Sequence, residues 1–212
     1  MKGLIRNNLY SMENSMLIAF IISVFLAIVP FGGVNPTLLP MIISVQIFVF
    51  VVNIGTSLRA DETAKWSKFE LTLPIKRSNL VLAKYVSIII LILMGIVMGT
   101  ATMVLSSYYD YAVSHSALVY GFEYGLTLSI LSTSIMYPLS LKLGAGKSEI
   151  IFIISAFATI GIMLLIAAVL STWTEGMNLR HPLVGAVSVI VAIVAFVLSY
   201  FVSVIIHNRK EF

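Results

Sequence analysis

Six long apolar runs, near Ser15–Phe31, Thr37–Ser57, Asn79–Ser106, Ala117–Leu141, Glu149–Ser171 and Pro182–His207, leave this chain few ways to fold. Crossing about 30 Å of hydrocarbon takes roughly 20 predominantly apolar residues in a helix, because each residue rises about 1.5 Å and every backbone polar group must find its partner within the segment. Stretches such as SIIILILMGIVMG and VSVIVAIVAFVLSYFVSVII are apolar on every face and lack the period-2 alternation of a membrane barrel. Composition agrees, since 59% hydrophobic residues, 10% charged residues and a mean hydropathy of +1.05 exclude a water-soluble domain of this length. The expected fold class is all-α: a polytopic membrane protein with six transmembrane helices.

Basic residues set the expected orientation, because Lys and Arg gather on the cytoplasmic side. The N-terminal tail, the second connection with the start of the third span, the fourth connection and the C-terminal tail carry twelve of the thirteen; the other three connections carry only Arg180. Both termini are therefore expected in the cytoplasm. The net charge of +4 is an orientation signal and no nucleic-acid signature, and the absence of cysteine removes disulfides and thiolate chemistry. The external connections are too short to fold as domains that capture a soluble ligand.

Ahead of the first run, Leu4, Ile5, Leu9 and Met12 recur at helical spacing, which predicts an interfacial amphipathic helix over residues 1–14 against the alternative of a disordered leader. A single six-helix domain follows over 15–207, and 208–212 form a cytoplasmic tail. A signal peptide is the alternative for the first run, but AIVPFGG offers no convincing cleavage site, so the run is read as a retained helix.

Signals for catalysis are weak. Gly144–Glu149, GAGKSE, contains the end of a phosphate-binding loop, but Leu141 stands where the pattern needs its first glycine, and membrane spans flank the motif in place of a buried strand before it and a carboxylate-bearing strand later. It reads as a turn, with Ser148 capping the fifth helix and Glu149 at its positive end. His115, His181 and His207 are far apart in sequence and form no metal motif. No catalytic, cofactor-binding or metal-binding residue is therefore assigned.

Glu123 is the one acidic residue placed within a span, where such a group suggests function by default; snorkelling and pairing inside the bundle remain open beside it. Lys84, near the inner end of the third span, is expected to snorkel outward. The spans offer little material for a proton relay. Gly95-x-x-x-Gly99 and Gly121-x-x-x-Gly125 permit close helix approach, within one bundle rather than along a dimer seam.

The longest polar stretch, DETAKWSKFELTLPIKRSN at residues 61–79, lies inside the segment 59–79. Asp61 is expected to begin a helix with Lys65 as its i,i+4 partner; Glu62, Trp66, Phe69 and Leu73 share one face, Asp61, Lys65 and Lys68 the next, and Pro74 ends it. Ser78 is the expected cap of the third span. Physics alone leaves two readings, a helix resting on headgroups or an element that docks another protein.

The run DETAKWSKFELTLPIKRSNLVLAK resembles the loop between the second and third spans of small type-2 ABC transporter permeases, and PLSLKLGAGKSEIIF resembles their fourth-to-fifth connection. Among them it is most similar to permeases of small-amphipathic-peptide exporters such as the staphylococcal phenol-soluble modulin exporter. The resemblance implies a coupling element in which Trp66, Phe69 and Leu73 pack into a separate cytoplasmic ABC ATPase, while Asp61, Glu62, Lys65, Lys68 and Arg77 pair at its rim. It also implies ATP and Mg bound by that subunit and not by this chain, a second permease, alike or paralogous, and a place in the bacterial plasma membrane. The short connection Ser171–His181 departs from larger relatives, which carry re-entrant helices there. The function so implied is export of small amphipathic or toxic peptides, with a peptide-immunity permease or a stand-alone membrane protein as alternatives. Ten methionines suit a flexible surface for varied amphipathic cargo.

Overall fold

The structure, a computed structural model, describes residues 2–29, 36–66, 76–108, 114–172 and 181–209. All regular structure among them is helical: α1 (Lys2–Tyr10), α2 (Glu13–Ile28), α3 (Leu39–Val52), α4 (Ile54–Thr63), α5 (Arg77–Ser107), α6 (His115–Leu143), α7 (Ser148–Ser171) and α8 (Pro182–Arg209), with short 3-10 turns at Pro36–Leu38 and Ala145–Lys147. Among the described residues, five stretches are long and apolar enough to cross a membrane: Leu39–Thr63, which joins α3 and α4, then α5, α6, Ala145–Ser171 and α8. The pair α1 and α2, bent by 65° at the break between them, adds a sixth if the two together are one broken span. The chain is thus an all-α polytopic membrane protein.

The hub is α3. Hydrocarbon gives helices no hydrophobic reason to associate, so close packing and hydrogen bonds must hold them together. Both glycine pairs serve α3. A Cβ on Gly95 would lie 2.6 Å from Ile47 Cα, and one on Gly99 3.2 Å from Ile43 Cγ2. From α6, a Cβ on Gly121 or Gly125 would lie 2.8 Å from Pro40 Cα or Ser44 Cα. Both motifs therefore pack within one chain, as expected, against adjacent faces of the same helix. Gln46 adds polar ties, its amide nitrogen donating to the Ser23 carbonyl of α2 (2.9 Å) and to Thr102 Oγ1 of α5 (2.8 Å).

These contacts fix direction as well as distance. Gly95 opposite Ile47 and Gly99 opposite Ile43 make α5 antiparallel to α3, whereas Gly121 at Pro40 and Gly125 at Ser44 make α6 parallel to it. Arg77 at the start of α5 reaches the last turn of α8, and Asn8 of α1 donates to Ser87 of α5 at 3.2 Å, so both ends of the chain lie at one end of the bundle. Burial falls from 67% of the central window of Leu39–Thr63 to 17% of that of α8, so α8 carries an apolar outer face of Ile190, Val194, Val197, Phe201 and Ile205.

Two expected caps are absent. The N-cap of α5 is Lys76, without a side-chain cap bond, and Ser78 lies inside the helix. Ser148 is the first residue of α7, and its hydroxyl points across to the Gly55 carbonyl at 3.4 Å instead of capping. In both cases a position one or two residues further into the helix removes the side chain from the free amides it would have served.

Candidate functional site

The loop-bearing end of α4 is bound into the bundle by a buried ion pair. Asn53 marks a turn between α3 and α4, its amide donating to the Phe50 carbonyl at 2.9 Å, and α4 then continues to Thr63. Asp61 lies in its last turn, where its carboxylate meets Lys84 Nζ of α5 at 2.5 Å. The ammonium also donates to Ser57 Oγ at 2.7 Å, and Ser57 Oγ accepts from Ser11 Oγ at 3.1 Å. The residues between α1 and α2, the end of α4 and the first turns of α5 thus share one polar chain. Lys84 is only 7% exposed, so it does not snorkel as its position in the span suggests. Removing an ammonium from water is tolerable because a carboxylate and a hydroxyl replace the lost hydration.

The predicted helix starting at Asp61 is also corrected. Asp61 ends a helix, and its partner is Lys84 rather than Lys65. Lys65 follows the C-cap with φ +50, a left-handed conformation that closes the helix, so Glu62 and Trp66 do not share the face of one continuous helix. Lys68, Phe69, Leu73 and Pro74 lie outside the described residues. Arg77 turns toward its own bundle, donating to the His207 and Asn208 carbonyls at 3.2 and 3.1 Å, where the end of α8 leaves acceptors without helical partners.

A cavity of about 270 Å³ opens beside the ion pair. Leu58, Leu80, Val81 and Tyr137 form apolar wall, and Asp61, Glu62, Trp66, Lys84, Ser140 and His207 contribute polar atoms. Glu62 lies over the glycine turn: its carboxylate oxygens are 3.5 Å from where a Cβ would stand on Gly144 or Gly146. Gly144 has φ +91, so a side chain there would be strained although there is room for a Cβ. The sequence GAGKSE is therefore a turn that seats Glu62. At its far edge Glu149 pairs with Arg59 of α4 at 2.8 Å.

Glu123 lies at the other end of the bundle, apart from this site. Its carboxylate packs against Gly185 in the first turn of α8, where any Cβ would collide with it. It has no hydrogen bond or ion pair among the described residues.

Sequence reasoning missed the polar seam joining α5, α6 and α8. Tyr85 OH bonds with Ser199 Oγ (2.7 Å) and Ser203 Oγ (3.0 Å), and Ser199 Oγ donates to the Ser134 carbonyl at 2.6 Å. Around the phenol, Tyr137, Phe196 and Tyr200 make edge contacts at 4.9 to 5.4 Å between ring centres. The spans are richer in buried polar groups than their hydropathy suggests. The readable signal was Ser188, Ala192, Ser199 and Ser203, small residues recurring at near-helical intervals along an otherwise bulky α8.

Comparison with known proteins agrees with this architecture. No curated protein and no solved structure matches the chain. A family model described as ABC-2 family transporter protein matches residues 3–208, from α1 to the last turn of α8. With nearly all of its described architecture inside that match, this multi-pass membrane protein belongs to the ABC-2 transporter family as a permease.

Proposed function

We propose that this permease is the membrane half of an ATP-driven exporter of small amphipathic peptides, and that a separate ATPase, which binds ATP and Mg, docks on the cytoplasmic segment 59–79. The observation that carries the proposal is the Asp61–Lys84 pair with its Ser57 bond. A loop that only rested on headgroups would need no buried charge to hold it. Here the end of α4 is tied to α5, and α5 meets α3 through Gly95 at backbone distance, so a push on the segment beyond Thr63 reaches two spans at once. Packed helices respond to such a push by shifting between discrete arrangements. A second permease, alike or paralogous, completes the transport route. Trp66, Lys68, Phe69 and Leu73 dock the ATPase, Glu62, Lys65 and Arg77 lie at the margin of the contact, and Asp61 transmits its movement.

The test is affinity capture of the tagged full chain from gently solubilised native membranes. An ATP-hydrolysing subunit is expected with the wild type and lost from the folded Trp66→Ala, Lys68→Glu, Phe69→Ala variant. If no ATPase is captured under conditions that hold a reference permease complex together, the segment is a membrane-surface element of a stand-alone protein.

A further inference from the structure

We infer that the cavity between α4, α5, α6 and α8 binds a single cationic group on an apolar stem, an alkylammonium or guanidinium, presented by the transported molecule; the cargo assignment rests on the exporter reading above.

Charge balance selects the ligand. Two carboxylates, Asp61 and Glu62, one ammonium, Lys84, and the imidazole of His207 line the cavity. Lys84 is already engaged with Asp61 and Ser57, so it is not free to hold an anion. The charge left over is that of Glu62, whose carboxylate makes no hydrogen bond and no ion pair among the described residues and stands exposed at the mouth above Gly144 and Gly146. Inside, Ser140 Oγ is buried without a hydrogen-bond partner among the described residues and lines the same space. A buried hydroxyl without a partner costs stability, and a donor-bearing ligand would satisfy it.

The walls select the rest. Leu58, Leu80 and Val81 offer hydrocarbon to a stem, while the rings of Trp66 and Tyr137 are the surfaces on which a cation is favoured. At about 270 Å³ the space is at the lower edge of small-molecule pockets, which run from roughly 300 Å³ upward, so it admits one side chain or one amino terminus and not a peptide. A neutral ligand would gain no charge-assisted contact with Glu62.

The test uses the full chain with Trp173→Phe, so that Trp66 is the one indole, in nanodiscs of zwitterionic phosphatidylcholine without ATPase. Phenethylammonium is titrated against 2-phenylethanol, with binding read by Trp66 fluorescence and by calorimetry. The ammonium is expected to saturate, with affinity about ten-fold above that of the alcohol, the effect of a charge-assisted contact. Glu62→Gln should abolish that preference, and Ser140→Ala should weaken binding about three-fold, the loss of one ordinary hydrogen bond. Equal binding of alcohol and ammonium, an unchanged preference in Glu62→Gln, or neither heat nor fluorescence change overturns the site. Capture of an ATPase without cation binding removes the site and leaves the exporter reading standing. Cation binding by a chain that captures no ATPase keeps the site and ends its assignment to cargo.

Discussion

Lys84 and Glu123 are the two charged residues expected within the hydrophobic runs, and the structure treats them in opposite ways. Lys84 is more deeply buried, yet it has a carboxylate at 2.5 Å, a hydroxyl at 2.7 Å and contact with the segment proposed to receive the ATPase. Glu123 is only partly covered, and its carboxylate rests on the bare backbone of Gly185 without a polar partner among the described residues. Depth alone does not indicate function; what matters is whether neighbouring elements are bound together through the charge. Lys84 joins α4 to α5, while Glu123 merely occupies space between α6 and α8.

The largest effect follows from breaking the pair from one side. Lys84→Met leaves Asp61 facing the cavity without a cation, and removing one partner of a buried pair costs about 3–5 kcal/mol, here reduced to about 2–4 because the Asp61 side chain keeps about one-fifth of its exposure. The melting midpoint of the purified protein in detergent should fall accordingly. Lys84→Met with Asp61→Leu should recover most of that loss, since an apolar pair of similar bulk is often neutral. If the double variant is as unstable as the single, the charge is not what makes this junction costly to disturb.

Glycines sharpen the same contrast. At Gly95 an added methyl meets the Ile47 backbone at 2.6 Å, which cannot move without separating α3 from α5, so Gly95→Ala should cost about 1–3 kcal/mol, the usual range for overpacking. At Gly185 the obstacle is the Glu123 carboxylate at the end of a flexible side chain, which can rotate away. Gly185→Ala should therefore be the milder substitution, and Glu123→Ala in the same chain should relieve what cost remains. Equal losses at the two glycines would show that Glu123 is held as firmly as backbone.

The contrast also marks what the sequence could reveal. Span positions were legible because hydropathy is a local property: α5, α6, α7 and α8 begin and end within a few residues of the runs. The docking of both glycine pairs inside the bundle was readable from their spacing, though not that α3 would receive both. The state of Lys84 was not legible, because its hydroxyl partner is 27 residues away and a lysine near a span end looks the same whether it points outward or inward. Nor was the helix break legible, since a positive φ at Lys65 is dictated by where α4 must stop and not by the residue type. The polar run 61–79 drew attention to Asp61, Glu62 and Trp66, but the cavity they line needed Ser140 and Tyr137 from α6 and His207 from α8, which only the tertiary structure brings to the same place.

A smaller effect is expected at the rim. Arg59 and Glu149 form a short ion pair, but their side chains are 47% and 71% exposed, and exposed pairs contribute about 0.2–1 kcal/mol. Arg59→Ala should lower the melting midpoint slightly, and raising the salt concentration should erase the difference, whereas the loss in Lys84→Met should persist at high salt because ions screen buried pairs poorly.

The smallest effect should come from Glu123→Gln. The amide keeps the shape of the side chain and removes a charge that no described residue answers, so the substitution should leave stability unchanged to within about 0.5 kcal/mol or raise it slightly, as is usual where no specific interaction is lost. This gives the comparison its sharpest test, because the two span charges then differ in sign of effect as well as in size. If Glu123→Gln instead destabilises the protein as much as Lys84→Met, the carboxylate has a polar partner, in this chain or on another subunit such as a second permease. The same substitution in the isolated chain and in the captured complex separates these outcomes: a loss confined to the complex places that partner on another subunit, and a loss in both places it within this chain.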